Sequence, residues 1–214
     1  MLPGHSNHYP AGMAFLVTVV VGVLFGAGDQ YLGSLRPMVA FGPWTVSVSQ
    51  MSAPWLLLPF AVGCTVGRSR KAALLGLVAS LSALAGYFAM TISPVEGVAI
   101  GRIPAAAGAL LGSNLLWIVG GLVTGPWLAL LGQRWAVRRA WAGAALVAGA
   151  FLFEPLARAI GGHLWAPAGW SWPALFGPAW VWAAEAAVGA GLAAVFVSRG
   201  VIAVRAAPPG ERRA

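Results

Sequence analysis

Residues Trp55–Ser80 read WLLLPFAVGCTVGRSRKAALLGLVAS, two apolar runs joined by the basic tetrapeptide Arg68-Ser69-Arg70-Lys71. So short a connection forces the flanking segments into an antiparallel hairpin. A hydrocarbon core about 30 Å thick takes roughly 20 apolar residues in a helix. Outward from this hairpin the chain offers six such segments: 51–67 and 72–92 beside the turn, 12–32 before it, and 105–132, 141–161 and 176–198 after it. In lipid the backbone must satisfy its own hydrogen bonds, which leaves helices. The expected fold is therefore all-α, a polytopic membrane helix bundle of about six transmembrane helices. The second segment is short and the fourth long, so their tilts should differ. Residues 1–200 read as one transmembrane domain. Residues 201–214, with Pro208-Pro209-Gly210-Glu211-Arg212-Arg213, read as a disordered basic cytoplasmic tail too polar to pack.

Composition agrees. The chain has 214 residues, 59% hydrophobic and 8% charged, where a soluble domain carries about 25% charged residues. The net charge of +8 does not indicate nucleic acid, because the basic residues lie between apolar runs and not on a polar face. Arg68, Arg70, Lys71, Arg134, Arg138, Arg139, Arg199, Arg205, Arg212 and Arg213 fall on one side, and only Arg36, Arg102 and Arg158 on the other. That bias places both termini in the cytoplasm, where the cations meet anionic lipid headgroups. Residues 1–12 hold no Lys or Arg, so the first helix reads as retained and not as a signal peptide. Cys64 is the single cysteine and reads as a small apolar side chain.

Charges inside the membrane cost a few kcal/mol or more, which singles out Asp29, Glu154, Arg158 and Glu185. At about 1.5 Å per residue, Asp29 lies roughly 5 Å deep, Glu154 about 10 Å and Glu185 about 14 Å, all in the outer half. A 100° step per residue puts Gly22, Gly26, Asp29 and Gly33 on one stripe. Gly76, Ser80, Ala83 and Tyr87 share another, as do Asn114, Trp117, Gly121 and Gly125, and Glu185, Gly189 and Ala193. Small residues mark close helix approach, so the polar groups beside them should point inward. Glu154 and Arg158 have same-face ion-pair spacing, and Pro155 between them should kink the helix. The expected cluster is Asp29, Gln30, Tyr87, Asn114, Glu154, Arg158 and Glu185. Trp44, Trp55, Trp117, Trp165, Trp180 and Trp182 are its expected aromatic lining. Most of the tryptophans fall on the outer side, whereas an interfacial belt is two-sided.

The outer loops, 33–50 and 162–175, contain Phe41-Gly42-Pro43-Trp44 and Trp165-Ala166-Pro167-Ala168-Gly169-Trp170-Ser171-Trp172. They are too apolar to hang free and should lie on the membrane or fold over the bundle. The first and third hairpins look alike: an acidic residue late in the outgoing helix, a Trp-rich loop, then Pro54-Trp55 or Pro178-Ala179-Trp180. An internal repeat is one reading.

The stretches Gly22-Val-Leu-Phe-Gly26-Ala-Gly-Asp29-Gln30, Trp55 through Gly63, Ala72-Ala-Leu-Leu-Gly76, Gly86-Tyr87-Phe88 and Gly125-Pro126-Trp127-Leu-Ala-Leu-Leu-Gly132 carry a resemblance. With the glutamates of the last two helices, they resemble an actinobacterial family of six-helix membrane proteins catalogued as a domain of unknown function. The resemblance spans most of residues 20–190 and implies fold and topology, with no activity. Phe88 and Gln50-Met51-Ser52 depart from its pattern of a second tyrosine and an Asn-Ser pair. A fainter likeness is to the six-helix substrate-binding subunits of energy-coupling-factor vitamin transporters.

No HExxH, CxxC, Gly-rich phosphate loop or nucleophile elbow occurs. His5, His8 and His163 make a poor metal constellation. No cofactor or metal is expected, and the balance leans away from an enzyme. The leading expectation is a small-molecule binding or transport subunit with an outward polar and aromatic pocket, in a bacterial plasma membrane. A homodimer or partner subunit would complete its pathway. The alternatives are a structural or assembly protein, and an intramembrane enzyme using Glu185 or Asp29 as general acid on an isoprenoid or lipid, in the manner of terpene cyclases.

Overall fold

The computed structural model describes residues 11–34, 42–165 and 177–206, with side chains over 12–34, 42–161 and 177–199. Among the described residues eight α-helices follow in order: α1 (Ala11–Ser34), α2 (Trp44–Ser49), α3 (Ala53–Cys64), α4 (Ser69–Thr91), α5 (Ile103–Ser113), α6 (Leu115–Arg138), α7 (Trp141–Trp165) and α8 (Ala179–Ala206). Two 3₁₀ turns, Pro94–Glu96 and Ile100–Arg102, lie between α4 and α5. There is no strand among the described residues. The chain is an all-α bundle.

Five helices, α1, α4, α6, α7 and α8, are long and apolar enough to cross a membrane. The sixth expected crossing is α3, only 12 residues long, or about 18 Å. Its role follows from the glycines. A Cβ on Gly22 would strike Ala79 and Ser82, and one on Gly26 would strike Ala83 and Tyr87. Contacts that advance together along both chains mean that α1 and α4 run parallel. The chain between them must therefore recross the bundle, and α3 carries it back.

Helix α6 runs antiparallel to α4, because Gly76 meets Gly125 and Ala129 while Gly121 meets Ser80 and Leu84. On its other side α6 receives α3, with Gly63 against Ala129 and Gly132 against Phe60 and Cys64. Helix α8 docks on α7 where Gly189 meets Phe151 and Leu152. Absent side chains let these backbones approach closely enough for dispersion to hold helices that lipid does not push together. The apolar core sits among α3, α6, α7 and α8 near the Arg68 end: Phe60, Leu128, Trp135, Val147, Phe151 and Phe196. Edge-to-face ring pairs link Phe60 to Phe196 at 5.9 Å and Trp135 to Phe196 at 5.3 Å.

The Arg68 turn is fastened from α6. Gln133 Nε2 donates to the Gly67 carbonyl at 2.9 Å, and Ser69 Oγ donates to Gln133 Oε1 at 3.3 Å.

The structure corrects several expected boundaries. The long fourth segment is broken at Asn114, whose φ of −111° and ψ of 16° leave the helical region and divide α5 from α6. The expected loop at 133–140 shrinks to Arg139 and Ala140, because α6 continues to Arg138. Arg139 closes that helix in the left-handed region, φ 55°, which satisfies the last carbonyls through Arg139 N to Trp135 O and Ala140 N to Arg134 O. Helix α8 extends to Ala206, so residues 201–206 of the expected tail are helical; 207–214 lie outside the described residues.

Of the outer loops, α2 folds over the bundle, with Thr45 and Ser47 fully buried. A Cβ on Gly177, where φ is +79°, would meet Ser47 Oγ, so the start of α8 docks on α2. Residues 35–41 and 166–176, Trp170 and Trp172 among them, lie outside the described residues.

Candidate functional site

The glycine seams that hold α3, α4 and α6 together lie toward the Arg68 end. Toward the other end larger side chains, Trp55, Leu84, Tyr87 and Trp117, take the facing positions. A cavity of about 370 Å³ opens there. Asp29 of α1, Trp55 of α3, Ser80, Leu84 and Tyr87 of α4, Asn114, and Trp117, Gly121 and Thr124 of α6 line it, together with the 49–52 segment. Trp55 stands edge-on between Phe25, at 5.2 Å, and Tyr87, at 6.1 Å. Its indole lies beside the Asp29 carboxyl. Asn114 and Thr124 donate to carbonyls of their own helices, Leu110 at 2.9 Å and Gly120 at 2.8 Å.

Glu154, Arg158 and Glu185 lie elsewhere. They form a second polar group on the far side of the 50–52 segment. Glu154 accepts from Ser52 N at 2.8 and 3.0 Å and from Ala53 N at 2.8 Å. Those N–H groups are among the unsatisfied donors of the α3 N-terminus, and Ser52 supplies no side-chain cap of its own. Arg158 pairs with Glu154 Oε1 through Nε at 2.8 Å and NH2 at 2.6 Å. Its NH2 also donates to the Gln50 carbonyl and to Ser52 Oγ. The guanidinium lies 5.3 Å from the Trp182 ring centroid, a cation–π contact. Glu185 is 3% exposed, lies beside Glu154 and Arg158, and has neither carboxylate oxygen hydrogen-bonded among the described residues.

The single expected cluster is thus two sites. Asp29, Tyr87 and Asn114 meet at the cavity, whereas Glu154, Arg158 and Glu185 meet around the start of α3. Gln50 and Ser52 link them, since each lines the cavity and contacts Arg158. Gln30 does not line the cavity, because it follows Asp29 by one residue and a 100° turn. Of the expected aromatic lining, Trp55 and Trp117 line it. Trp44 instead packs at a tilt against Trp180, with centroids 6.3 Å apart, and Trp182 belongs to the arginine. The Trp165 side chain lies outside those described. The sequence did not point to Ser80, Leu84, Thr124 or the 49–52 segment as lining; Ser80 sits on a stripe already picked out by its glycines. In the first hairpin the acid meets the tryptophan of the returning helix, while in the third the arginine does, so the two hairpins differ in chemistry.

Around both sites the outer surface is apolar. Leu116 is 79% exposed, Leu24 67% and Val123 65%, and water-facing proteins do not carry apolar surface on this scale. The fold and this girdle define a multi-pass membrane protein. Comparison with known proteins gives no matching family model, no matching curated protein and no matching solved structure.

Proposed function

We propose that the chain is a small-molecule binding or transport subunit whose ligand occupies the cavity between α1, α3, α4 and α6. One observation carries the proposal: a space of about 370 Å³, within the range of ligand pockets, walled by aromatic rings with a few polar groups among them. Packing alone would close such a space.

The reading includes an orientation. Arg68, Arg70, Lys71, Arg134, Arg138, Arg139 and Arg199 fall at the turns and helix ends of one side, which is the cytoplasmic side by the excess of positive charge. The cavity then faces outward from a bacterial plasma membrane, both termini face inward, and the cations meet anionic headgroups. A second copy or a partner subunit completes any pathway across the bilayer. Membership of the actinobacterial six-helix family fits this arrangement and rests on the residues that carry the resemblance.

Gly120 provides the test. It lines the cavity, and a Cβ there would meet nothing within 4 Å. Gly120→Phe should leave thermal stability unchanged while occupying the space. In a thermal-shift screen of a chemically diverse library, some class of compound should stabilise the wild-type protein and not the variant. A library that never distinguishes the two proteins would refute the proposal.

A further inference from the structure

We infer that the cavity selects organic cations, amines or quaternary ammonium compounds carrying an apolar group, with Asp29 as counter-charge and Trp55, Tyr87 and Trp117 as the walls. This rests on the cavity being a ligand site, and adds its chemistry.

The lining determines the sign of the ligand. Asp29 is the one ionisable carboxyl among the lining residues, and no Lys, Arg or His joins it. The Glu154–Arg158 pair is the only ion pair among the described residues, so none of the described cations pairs with Asp29. The neighbouring Trp55 indole is neutral and does not balance its charge. An anion entering this space would meet a carboxylate and no countercharge. A cation would meet both the carboxylate and the electron-rich faces of the rings.

The ring geometry strengthens the preference. Trp55 and Tyr87 are inclined at 70°, so their planes form a corner and not a closed stack. Trp117 stands on the opposite helix, largely exposed, and lines the same cavity. A corner of aromatic faces with one carboxylate suits a tetrahedral ammonium carrying alkyl groups. It does not suit a hard metal ion, which takes six or more oxygens, and the described residues hold no cluster of metal-binding side chains.

The full chain in nanodiscs, titrated calorimetrically with empty nanodiscs as blank, tests this with three probes of one shape. Benzyltrimethylammonium carries the cation, neopentylbenzene replaces its nitrogen by carbon, and phenylmethanesulfonate carries a negative charge. The cation should bind, and the other two should bind at least about tenfold more weakly, the order of one desolvated cation–π contact. Asp29→Asn keeps the shape and should weaken the cation about tenfold, while Asp29→Glu should retain it. Trp117→Leu, on an exposed ring, should weaken it without affecting the fold. Equal binding of the neutral probe, or unchanged cation binding in Asp29→Asn, would overturn the inference and leave the cavity as a ligand site. No binding of the cation would also overturn it. If in addition Gly120→Phe matched wild type throughout the library screen, the cavity reading itself would fall.

Discussion

Glu154 supplies the N-terminal cap that α3 lacks. One carboxylate from another helix takes the first free N–H groups of α3 and also holds Arg158. Removing one member of such a buried pair leaves an uncompensated charge and costs about 3–5 kcal/mol. Glu154→Ala should therefore lower the thermal midpoint by many degrees, measured by melting in detergent. Glu185 predicts the opposite. Two carboxyls face one guanidinium, and neither Glu185 oxygen is hydrogen-bonded among the described residues, so an amide of the same shape gives up no contact. Glu185→Gln should melt at or above the wild-type midpoint; a large destabilisation would show that the charge is needed. At this scale the sequence was half legible. The four-residue spacing of Glu154 and Arg158 announced their pair. Nothing in it announced that their acceptor and donor partners would be backbone groups at 50–53, because the connection between distant segments is made by the fold.

Among the elements, the glycine stripes determine which helices touch. A Cβ on Gly26 would come 1.8 Å from the Ala83 carbonyl oxygen, whereas one on Gly28 meets nothing within 4 Å. Gly26→Ala should cost about 1–3 kcal/mol through forced separation of α1 and α4. Gly28→Ala should be neutral or slightly stabilising, since alanine favours the helix. Melting curves of the two variants, two residues apart, separate packing from composition. These stripes were readable from the 3.6-residue period, and Gly22, Gly26, Gly76, Gly121, Gly125 and Gly189 all lie at the interfaces it indicated. The break at Asn114 was not readable. An apolar run carries no mark of where a helix divides, and Asn114 resembles any polar residue awaiting a partner. The 12-residue length of α3 was hidden for the same reason, as apolar sequence continues beyond both of its ends.

For the molecule as a whole, the cavity lies beyond the glycine contacts of α3, α4 and α6, where Trp55, Leu84, Tyr87 and Trp117 line it. The sequence led to an expected concentration of acids and tryptophans at one end but combined two sites into one, because depth and helix face do not say which pair of helices a side chain lies between. The α7–α8 hairpin contributes the group that anchors the 50–52 segment, and through Gln50 and Ser52 that segment becomes part of the cavity wall. The central claim is that this space opens outward. With Cys64, the lone cysteine, replaced by alanine, a single cysteine can be placed at Gly120 on the cavity wall or at Ala129 in the buried seam. A membrane-impermeant maleimide applied to intact cells should label the cysteine at 120 and leave the one at 129 unmodified. Labelling at 120 only after the cells are opened, or at neither position under any condition, would contradict the account.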